Sequence, residues 1–474
     1  MHYRLYIIAV LLFFTQPSSA QKKWTLPQCI EYAMANNISV KQIDLQSKIA
    51  ELTYKQSKLG QYPNVSFSAS PSFNSGRNQD PTSFSLITQS YLSANMQLQS
   101  SAEIFNWYSK RNTIAANQWE VEAAKANTDK LKNDIALTVA NSYLQILLSK
   151  EQEKIAEVKL QQSQAQLSNT RKLVDAGALP ELNASELEAQ VARDSATLIS
   201  ADGAVQQNIL NLKAYMTIDA AEPFEVDTPP VDMIPVEKIA DLQPDAVYSM
   251  AMANMPQQKA NGFKLKAAKK LTEAARGNMY PTISMFGSLG SGYNSRAQEI
   301  TGSVPSVIPV ATVTVGGTPY NVFPIQPTNI YDKSSFTRQV NENFRQSIGI
   351  NISVPIFNGG SLRTAYEKSK INIKNQELQM QLDDQTLKQN IYQAYNAAKV
   401  ALEKFNASKK SMETAERSFS FSQKRYDVGL LSTLELITNQ NNLFSARLQY
   451  TLDHFDYVFK MKVLEFYKGQ GLKL

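Results

Sequence analysis

The stretch "KRYDVGLLSTL" (424–434) has a counterpart, "KLVDAGALPEL" (172–182), which aligns with it without gaps 252 residues earlier. The alignment places Gly177 on Gly429. A glycine directly after a long helix favours the left-handed conformation that ends many helices. The two stretches therefore predict the turns of two helical hairpins. A solvated turn between any two helices would explain the glycines, but not the matched residues around them.

Long segments without helix breakers come before these turns. The 100 residues before Gly177 and the 68 before Gly429 contain no glycine. A helix over 107–174 would be about 100 Å long at roughly 1.5 Å per residue. Such a helix needs a neighbour along its whole length, which predicts coiled-coil-like packing. Pro180 and Ser432-Thr433 suit the first turn of the returning helices.

The repeat extends over most of the chain. "AMAN" occurs at 33–36 and 251–254, and "QYPNVSFS" (61–68) resembles "MYPTISMF" (279–286), both at an offset of 218. "EIFNWYSKR" (103–111) resembles "PIFNGGSLR" (355–363) at an offset of 252. The second copy thus gains 34 residues between its Tyr-Pro and its Ile-Phe-Asn.

Two alternating segments precede each hairpin. Apolar and small polar residues alternate over 64–73 and 91–102, and again over 283–285 and 348–354. This period of two predicts strands with one apolar and one polar face. Such strands suit an outer-membrane barrel with lipid outside and water inside, although a soluble sandwich would give a similar pattern. Aromatic residues near the strand ends are candidates for an interfacial girdle: Tyr62, Phe105, Trp107, Tyr280 and Phe357.

The first twenty residues have the pattern of a secretory signal. Arg4 precedes an apolar run, Leu5–Phe14, and Ser18-Ser19-Ala20 suits cleavage before Gln21. The run is short for a membrane anchor, and an uncleaved anchor is the alternative. We therefore expect an exported protein.

Composition argues against several other functions. Without the signal the chain carries 47 Lys+Arg against 42 Asp+Glu, a dispersed excess that does not favour a nucleic-acid partner. The histidines are His2 and His454, too few for a His-based triad or a zinc cluster. "GSLGSG" (287–292) lacks dinucleotide-binding spacing, and the carboxylate pairs suit solvated helix faces. Cys29 has no partner for an internal disulfide and is expected to be a buried helix residue. No enzyme, cofactor or metal is predicted.

The number of strands requires oligomerisation. Two repeats supply four strands, whereas the smallest outer-membrane barrels have about eight. Open sheet edges are not tolerated in lipid, so several protomers must pool their strands. The inward residues are Ser, Asn, Gln and Gly, which predicts a wet lumen.

With this order of elements after a signal peptide, the chain resembles the TolC family of outer-membrane efflux proteins. "TLPQCIEYAMANN" (25–37) is similar to the family's first helix, and "RYDVGLLSTLELITNQNNLFSARLQY" (425–450) to its most recognisable segment. The resemblance implies a mixed α+β membrane protein built from two tandem repeats. It also implies a homotrimer whose 12-stranded β-barrel, four strands per chain, continues into a long α-helical coiled-coil barrel.

The family also implies a location and partners. The barrel would lie in the outer membrane of a Gram-negative bacterium, with the helical tunnel in the periplasm. A periplasmic adaptor (membrane fusion protein) and an inner-membrane pump would deliver substrates of an efflux or type I secretion system. The channel would have no chemistry of its own.

This interpretation divides the chain into four parts. Residues 1–20 are the signal peptide, and 21–216 the first repeat of helix, two strands and helical hairpin. The proline-rich 217–244 is a non-helical linker in the equatorial region. The second repeat, 245–474, has a longer external loop at about 297–345, whose Pro- and Gly-rich part suits a surface loop.

The resemblance also assigns roles to residues of the hairpin tips. The adaptor-docking tips would comprise Asp175, Ala176, Gly177, Ala178, Asp427, Val428, Gly429 and Leu430. The family has acidic residues six and nine positions after the second glycine, which are Glu435 and Thr438 here. Tyr426 matches a tyrosine of the closing network, but Leu431 replaces its arginine partner, and Asn183 stands where an acid is expected in the first repeat. These residues predict a periplasmic entrance with an altered lock. A solvated outer-wall glutamate is the alternative for Glu435.

Other functions remain open at this point. An exported coiled-coil scaffold or adhesin would also have long helices, but would not need alternating strands before each hairpin. An exported enzyme is a further alternative. The cargo is undetermined, and drugs, metals, lipids and secreted polypeptides all remain candidates.

Overall fold

The computed structural model describes residues 23–80, 84–307 and 309–469. The predicted signal peptide lies outside these residues. The helices are α1 (Leu26–Asn36), α2 (Ile38–Leu59), α3 (Ser109–Asp175), α4 (Glu181–Met216), α5 (Pro244–Asn254), α6 (Pro256–Gly277), α7 (Phe336–Glu342), α8 (Ser361–Asp427) and α9 (Thr433–Phe466). The strands are β1 (Asn64–Gln79), β2 (Leu86–Phe105), β3 (Thr282–Asn294), β4 (Gln298–Val307), β5 (Ala311–Val315), β6 (Thr318–Val322), β7 (Ile325–Lys333) and β8 (Arg345–Ser353).

The two long helices are equal in length. α3 and α8 have 67 residues each. The predicted start of α3 at residue 107 is two residues early, because Trp107 and Tyr108 have positive φ angles of 50° and 62°. The helix therefore begins at Ser109. Among the described helices, none has a segment sufficiently long and apolar to span a membrane.

The chain forms two compact units. Among the described residues, the helical unit comprises those within 23–52, 117–268 and 372–469, and the sheet unit those within 53–116 and 269–371. Each unit contains segments of both sequence repeats. The compact units are therefore distinct from the repeats.

Two apolar clusters form the core of the helical unit. The first contains Cys29, Ile146 and Leu212, and the second contains Ile391 and Met461. Cys29 is fully buried, as predicted, and burial raises the pKa of its thiol to about 12. The clusters supply packing partners for 139–147 of α3 and 387–398 of α8.

The linker 217–244 packs into this core. Val226 belongs to the first cluster and forms a parallel bridge with Trp24. The Glu237 amide donates to the Glu465 carboxylate (2.7 Å), which also pairs with buried Lys462 (2.8 Å). The linker contains two single 3-10 turns, at 231–233 and 239–241.

The main sheet is antiparallel, with strand order β1-β2-β3-β8. Opposed residues of antiparallel strands lie on the same face. One face carries the row Phe67, Leu98 and Leu289, and the other carries Ser66, Gln99, Ser288 and Ser347. The predicted amphipathic strands are confirmed. β1 and β8 are the sheet's edges within the chain.

The additional residues of the second repeat contain further strands. β4 pairs with β7 and β5 with β6, so the Pro- and Gly-rich segment of the predicted external loop contains two-stranded ladders. Gly316 and Gly317 join β5 to β6 with φ angles of 63° and 85°. Two central residues with positive φ are typical of the tight type I′ hairpin turn.

Gly277 allows a close approach within the sheet unit. A β-carbon at this position would lie 2.9 Å from the Trp107 carbonyl oxygen and 3.1 Å from the Ser109 β-carbon. Because the carbonyl belongs to the backbone, a larger residue cannot be accommodated by rotating a side chain. Gly277 thus fixes the end of α6 against the start of α3.

We expect Gly277→Ala to reduce the free energy of unfolding by about 1–3 kcal/mol, because the added methyl overpacks this contact. Gly262→Ala is the matched control on the same helix, since its β-carbon would meet no atom within 4 Å. The control should be neutral or stabilising by about 0.5–1 kcal/mol. Thermal unfolding followed by circular dichroism measures both. Equal midpoints for the two variants would contradict this account of Gly277.

Candidate functional site

The tip of the first hairpin ends α3 with a specific set of hydrogen bonds. The Gly177 amide donates to the Val174 carbonyl (2.9 Å), and the Ala178 amide donates to the Leu173 carbonyl (2.8 Å). The φ angle of Gly177 is 75°. These features define a Schellman cap, in which glycine avoids the steric cost of the left-handed conformation.

The second tip repeats this geometry. The Gly429 amide donates to the Tyr426 carbonyl (2.9 Å), and the Leu430 amide donates to the Arg425 carbonyl (2.8 Å). The φ angle of Gly429 is 78°. The matched sequence around the two glycines therefore encodes matched turns, and the predicted glycine caps are confirmed.

The tips present apolar side chains to solvent. Val428 and Leu430 at the second tip are each 68% exposed, and Leu182 after the first tip and Leu434 after the second are similarly exposed. The eight residues predicted for docking are all exposed: Asp175, Ala176, Gly177, Ala178, Asp427, Val428, Gly429 and Leu430. Such a surface can bury apolar area against another protein.

Tyr426 links the two hairpins near their tips. Its hydroxyl is hydrogen-bonded to the Thr170 hydroxyl of α3 (3.1 Å) and lies 3.4 Å from the Thr433 hydroxyl of α9. Both threonines are buried. The Tyr426 hydroxyl thus contacts neutral hydroxyl groups. This agrees with the presence of Leu431 at the position where the resemblance predicts an arginine.

Glu435 makes local contacts at the start of α9. Its carboxylate accepts hydrogen bonds from the Ser432 amide (3.3 Å) and hydroxyl (3.2 Å), while its own amide donates to the Ser432 hydroxyl (3.2 Å). This reciprocal arrangement is a capping box, which satisfies donors at the helix start. The exposed Thr438 donates to the Leu434 carbonyl (2.8 Å), and Asn183 lies partly buried in the first turn of α4. Ser432 and Glu435 form the S-x-x-E pattern that predicts a capping box. The resemblance assigns Glu435 only to the entrance, so the cap was not predicted from this pattern.

A buried polar cluster around Asp194 was not predicted. The Asp194 carboxylate accepts hydrogen bonds from the Ser163 hydroxyl (2.7 Å) and the Gln190 amide (2.8 Å), and Lys159 lies 3.0 Å away. Asp194 is only 1% exposed, and its partners come from both α3 and α4. Removing one partner would leave a buried charge unsatisfied, so the cluster fixes how the first hairpin packs. A charged residue within the apolar spacing of α4 was the only signal in the sequence.

The polar face of the sheet is a row of hydroxyl and amide groups. Hydroxyl pairs join neighbouring strands at Ser72 and Ser93 (3.2 Å) and at Ser288 and Ser347 (2.8 Å). Phe286 is an exception on this face, and its ring lies over Gly349, where a β-carbon would be 2.7 Å from the ring. The face, which also carries Glu103 and Arg345 on its strands, can therefore line water.

Aromatic residues gather where the sheet meets the helix ends of its own unit. The Phe105 and Trp107 rings are 5.4 Å apart, and the Trp107 and Tyr280 rings are 4.9 Å apart. Tyr62 and Phe357, the other predicted members of the girdle, are 70% and 88% exposed. Three of the five predicted aromatics thus form one cluster.

The chain matches known proteins over most of its length. Residues 29–217 and 247–457 match the family described as outer membrane efflux protein. The chain is 20% identical to outer membrane efflux protein BepC of Brucella suis, over 80% of this chain and 71% of that protein. It is 22% identical to the probable efflux pump outer membrane protein TtgC of Pseudomonas putida, over 89% of this chain and 78% of that protein.

Solved channels have the same fold. A structure of CusC aligns with a TM-score of 0.75 at 16% identity, covering 94% of this chain and 92% of that chain. The open-state MtrE channel of Neisseria gonorrhoeae aligns with a TM-score of 0.72 at 19% identity, covering 94% and 89% of the two chains. The repeated helix-strand-strand-hairpin order, the amphipathic sheet and the extensive match agree. This chain belongs to the outer membrane efflux protein family, as the resemblance predicted.

Proposed function

We propose that the protein is the outer-membrane exit duct of a tripartite efflux or type I secretion system. It passively conducts substrates, received from a periplasmic adaptor and an inner-membrane pump, to the outside of a Gram-negative cell. The observation that carries this proposal is the four-stranded sheet, which has one apolar face, one polar face and two open edges. Family membership supports the same role.

The apolar face of the sheet needs a nonaqueous partner. Phe67 is 67% exposed, Phe73 73% and Ile348 80%. Burying such side chains in lipid gains about 1.5–3 kcal/mol each, whereas unpaired backbone groups at an open edge cost several kcal/mol each in a bilayer. Closure with other copies satisfies both requirements. Three copies would give twelve strands, with the polar faces lining a water-filled lumen.

The hairpin tips suit a protein partner. Val428 and Leu430 flank a glycine whose backbone is accessible, and they offer a small apolar surface at the end of a rigid hairpin. We propose that both tips dock on the adaptor. The helical unit would then cross the periplasm.

The oligomer is the direct test of this function. We expect the detergent-extracted protein to have the mass of three chains and to conduct ions in phosphatidylcholine vesicles. Carbonate washing should leave it in the membrane. A folded monomer that washes off would instead support the scaffold or adhesin function.

We expect Gly429→Trp and Gly177→Trp to abolish export while the protein still reaches the outer membrane as a trimer. Each substitution places a bulky side chain at a positive φ on the proposed docking surface. Drug tolerance restored to a deletion strain is the measurement.

Two controls separate bulk from position. Gly203→Trp adds the same ring on α4 at an open site away from the tips and should preserve tolerance. Gly429→Asn, which adopts positive φ more readily, should have a weaker effect than tryptophan. Full tolerance in both tip tryptophan variants would refute docking at the tips.

We expect Glu435→Gln to weaken the channel's preference for cations. Threefold symmetry would gather three Glu435 carboxylates around one axis, and charges of one sign at a constriction concentrate counterions. Glutamine can retain the capping box with Ser432, so the substitution removes charge while preserving the helix start. Planar-bilayer recordings of ion selectivity and of block by trivalent cations measure the effect.

The control is Glu435→Ala, which also loses the cap and should destabilise the fold by about 0.5–2 kcal/mol. Selectivity and trivalent block identical to those of the parent in Glu435→Gln would remove Glu435 from the entrance.

A further inference from the structure

Positive charge is concentrated at one end of the sheet. The four segments that adjoin this end, 53–62, 106–116, 269–281 and 354–371, contain ten Lys+Arg and two Asp+Glu, a net charge of +8. The whole chain has a net charge of +6, so everything outside these segments sums to −2. We call the ten cations the basic collar: Lys55, Lys58, Lys110, Arg111, Lys269, Lys270, Arg276, Arg363, Lys368 and Lys370.

The hairpin tips and the other end of the sheet are nearly neutral. The hairpin tips, 171–185 and 424–436, contain four Lys+Arg and four Asp+Glu. The opposite end of the sheet, 73–92 and 293–346, contains five and four. The excess of positive charge is therefore confined, among these three groups of segments, to those that adjoin one end of the sheet.

The basic collar is mostly exposed and unpaired. Lys110, Lys270 and Lys370 pair with neighbouring glutamates at 2.8, 2.7 and 3.1 Å. Within the described part of the chain, the other seven cations have no carboxylate within ion-pair distance, and all seven are exposed. Lys58 also lies over the Tyr54 ring, 4.3 Å from its centroid. Seven exposed cations of the sheet unit thus have no carboxylate that compensates their charge.

Helix stability explains only half of the basic collar. Lys58 and Arg276 lie in the last turns of α2 and α6, where a cation complements the helix dipole. Arg111 and Arg363 lie in the first turns of α3 and α8, where a cation opposes the dipole and no acidic residue compensates. Each of the four helix ends nevertheless has an unpaired cation within its first or last turn. This pattern points to an external anion.

The neighbouring aromatic cluster indicates where that anion lies. Trp107 lies in the sequence between the end of β2 and Lys110, and it packs against Tyr280, which lies between Arg276 and the start of β3. Tryptophan and tyrosine favour the boundary between hydrocarbon and headgroups, and basic side chains beyond that boundary are attracted by anionic headgroups.

We propose that the basic collar binds the headgroups of anionic phospholipids in the periplasmic leaflet of the outer membrane. The collar would fix the depth of the barrel and enrich anionic lipid around the trimer. This inference rests on the proposed insertion of the sheet in a membrane. The binding would result from attraction between the positive charges of the basic collar and the anionic headgroups, at the level of the aromatic cluster.

Trp107 provides a local reporter for the test. The chain contains three tryptophans, so Trp24→Phe and Trp119→Phe leave Trp107 alone beside the collar. The protein is reconstituted in dioleoyl-phosphatidylcholine vesicles containing brominated phosphatidylglycerol or, in parallel, brominated phosphatidylcholine. At equal mole fraction, we expect brominated phosphatidylglycerol to bind roughly fivefold or more tightly, as judged from quenching of Trp107, because one nearby cation contributes about this factor.

A matched pair of variants assigns the preference to the basic collar. Lys58→Gln, Arg111→Gln, Arg276→Gln and Arg363→Gln are combined in one protein, which neutralises one unpaired cation at each helix end. We expect the two lipids then to quench equally. The control neutralises four exposed lysines farther along α8, Lys399, Lys404, Lys409 and Lys410, and should keep the preference.

Several results would overturn the proposal. One is equal quenching of Trp107 by the two brominated lipids in the parent protein. Another is a preference for brominated phosphatidylglycerol that survives in the collar variant. A third is lost export in the collar variant without any lipid preference in the parent, which would assign the surface to an acidic protein partner. If the collar variant does not fold, the parent protein is tested at low and high salt. Its preference for brominated phosphatidylglycerol must weaken at high salt, because salt screens the attraction between exposed charges. Ion conductance in pure phosphatidylcholine vesicles separately tests the channel function.

Discussion

The open edges of an amphipathic four-stranded sheet constrain the rest of this molecule. Within the described part of the chain, β1 and β8 each have one side without a paired strand, and the apolar face carries exposed side chains such as Phe67 and Ile348. Backbone groups at such edges are tolerable in water but costly in lipid. A sheet with this composition therefore has to be completed by other copies before its apolar face can enter a membrane.

The sequence repeat determines the helices as well as the strands. Each repeat contributes two strands to the sheet and one 67-residue helix with a returning partner. Neither long helix has a strongly apolar composition, so their stability depends on packing along their length, as in the cluster around Ile146 and that around Ile391. Repeating one unit is an economical way to build the wall of a tube. The matched Schellman caps at Gly177 and Gly429 show that the repetition extends to single hydrogen bonds.

Local signals made much of this fold predictable. The absence of glycine before Gly177, the matched turns and the period-two strands all have direct physical consequences for the backbone. Features that depend on distant contacts were missed, such as Asp194, whose partner Ser163 lies 31 residues away on another helix. The hairpin at Gly316-Gly317 was hidden by Pro and Gly residues that suit loops and tight turns equally. For Glu435, family position suggested an entrance charge, while the local sequence already contained the capping box that the structure has. The tip and entrance roles remain predictions.

The central claim is that the sheet closes by pairing β8 of one chain with β1 of the next. A Cys29→Ser chain with cysteines at Ser68 and, in turn, at Ser347, Asn351 and Ser353 tests it, because all four positions lie on the polar face at the two edges. Oxidation in native membranes should yield a disulfide in at least one pairing register, with a ladder that stops at three chains, while single-cysteine proteins stay uncross-linked. A ladder that continues beyond three chains, or the absence of cross-links in every register, would contradict the account.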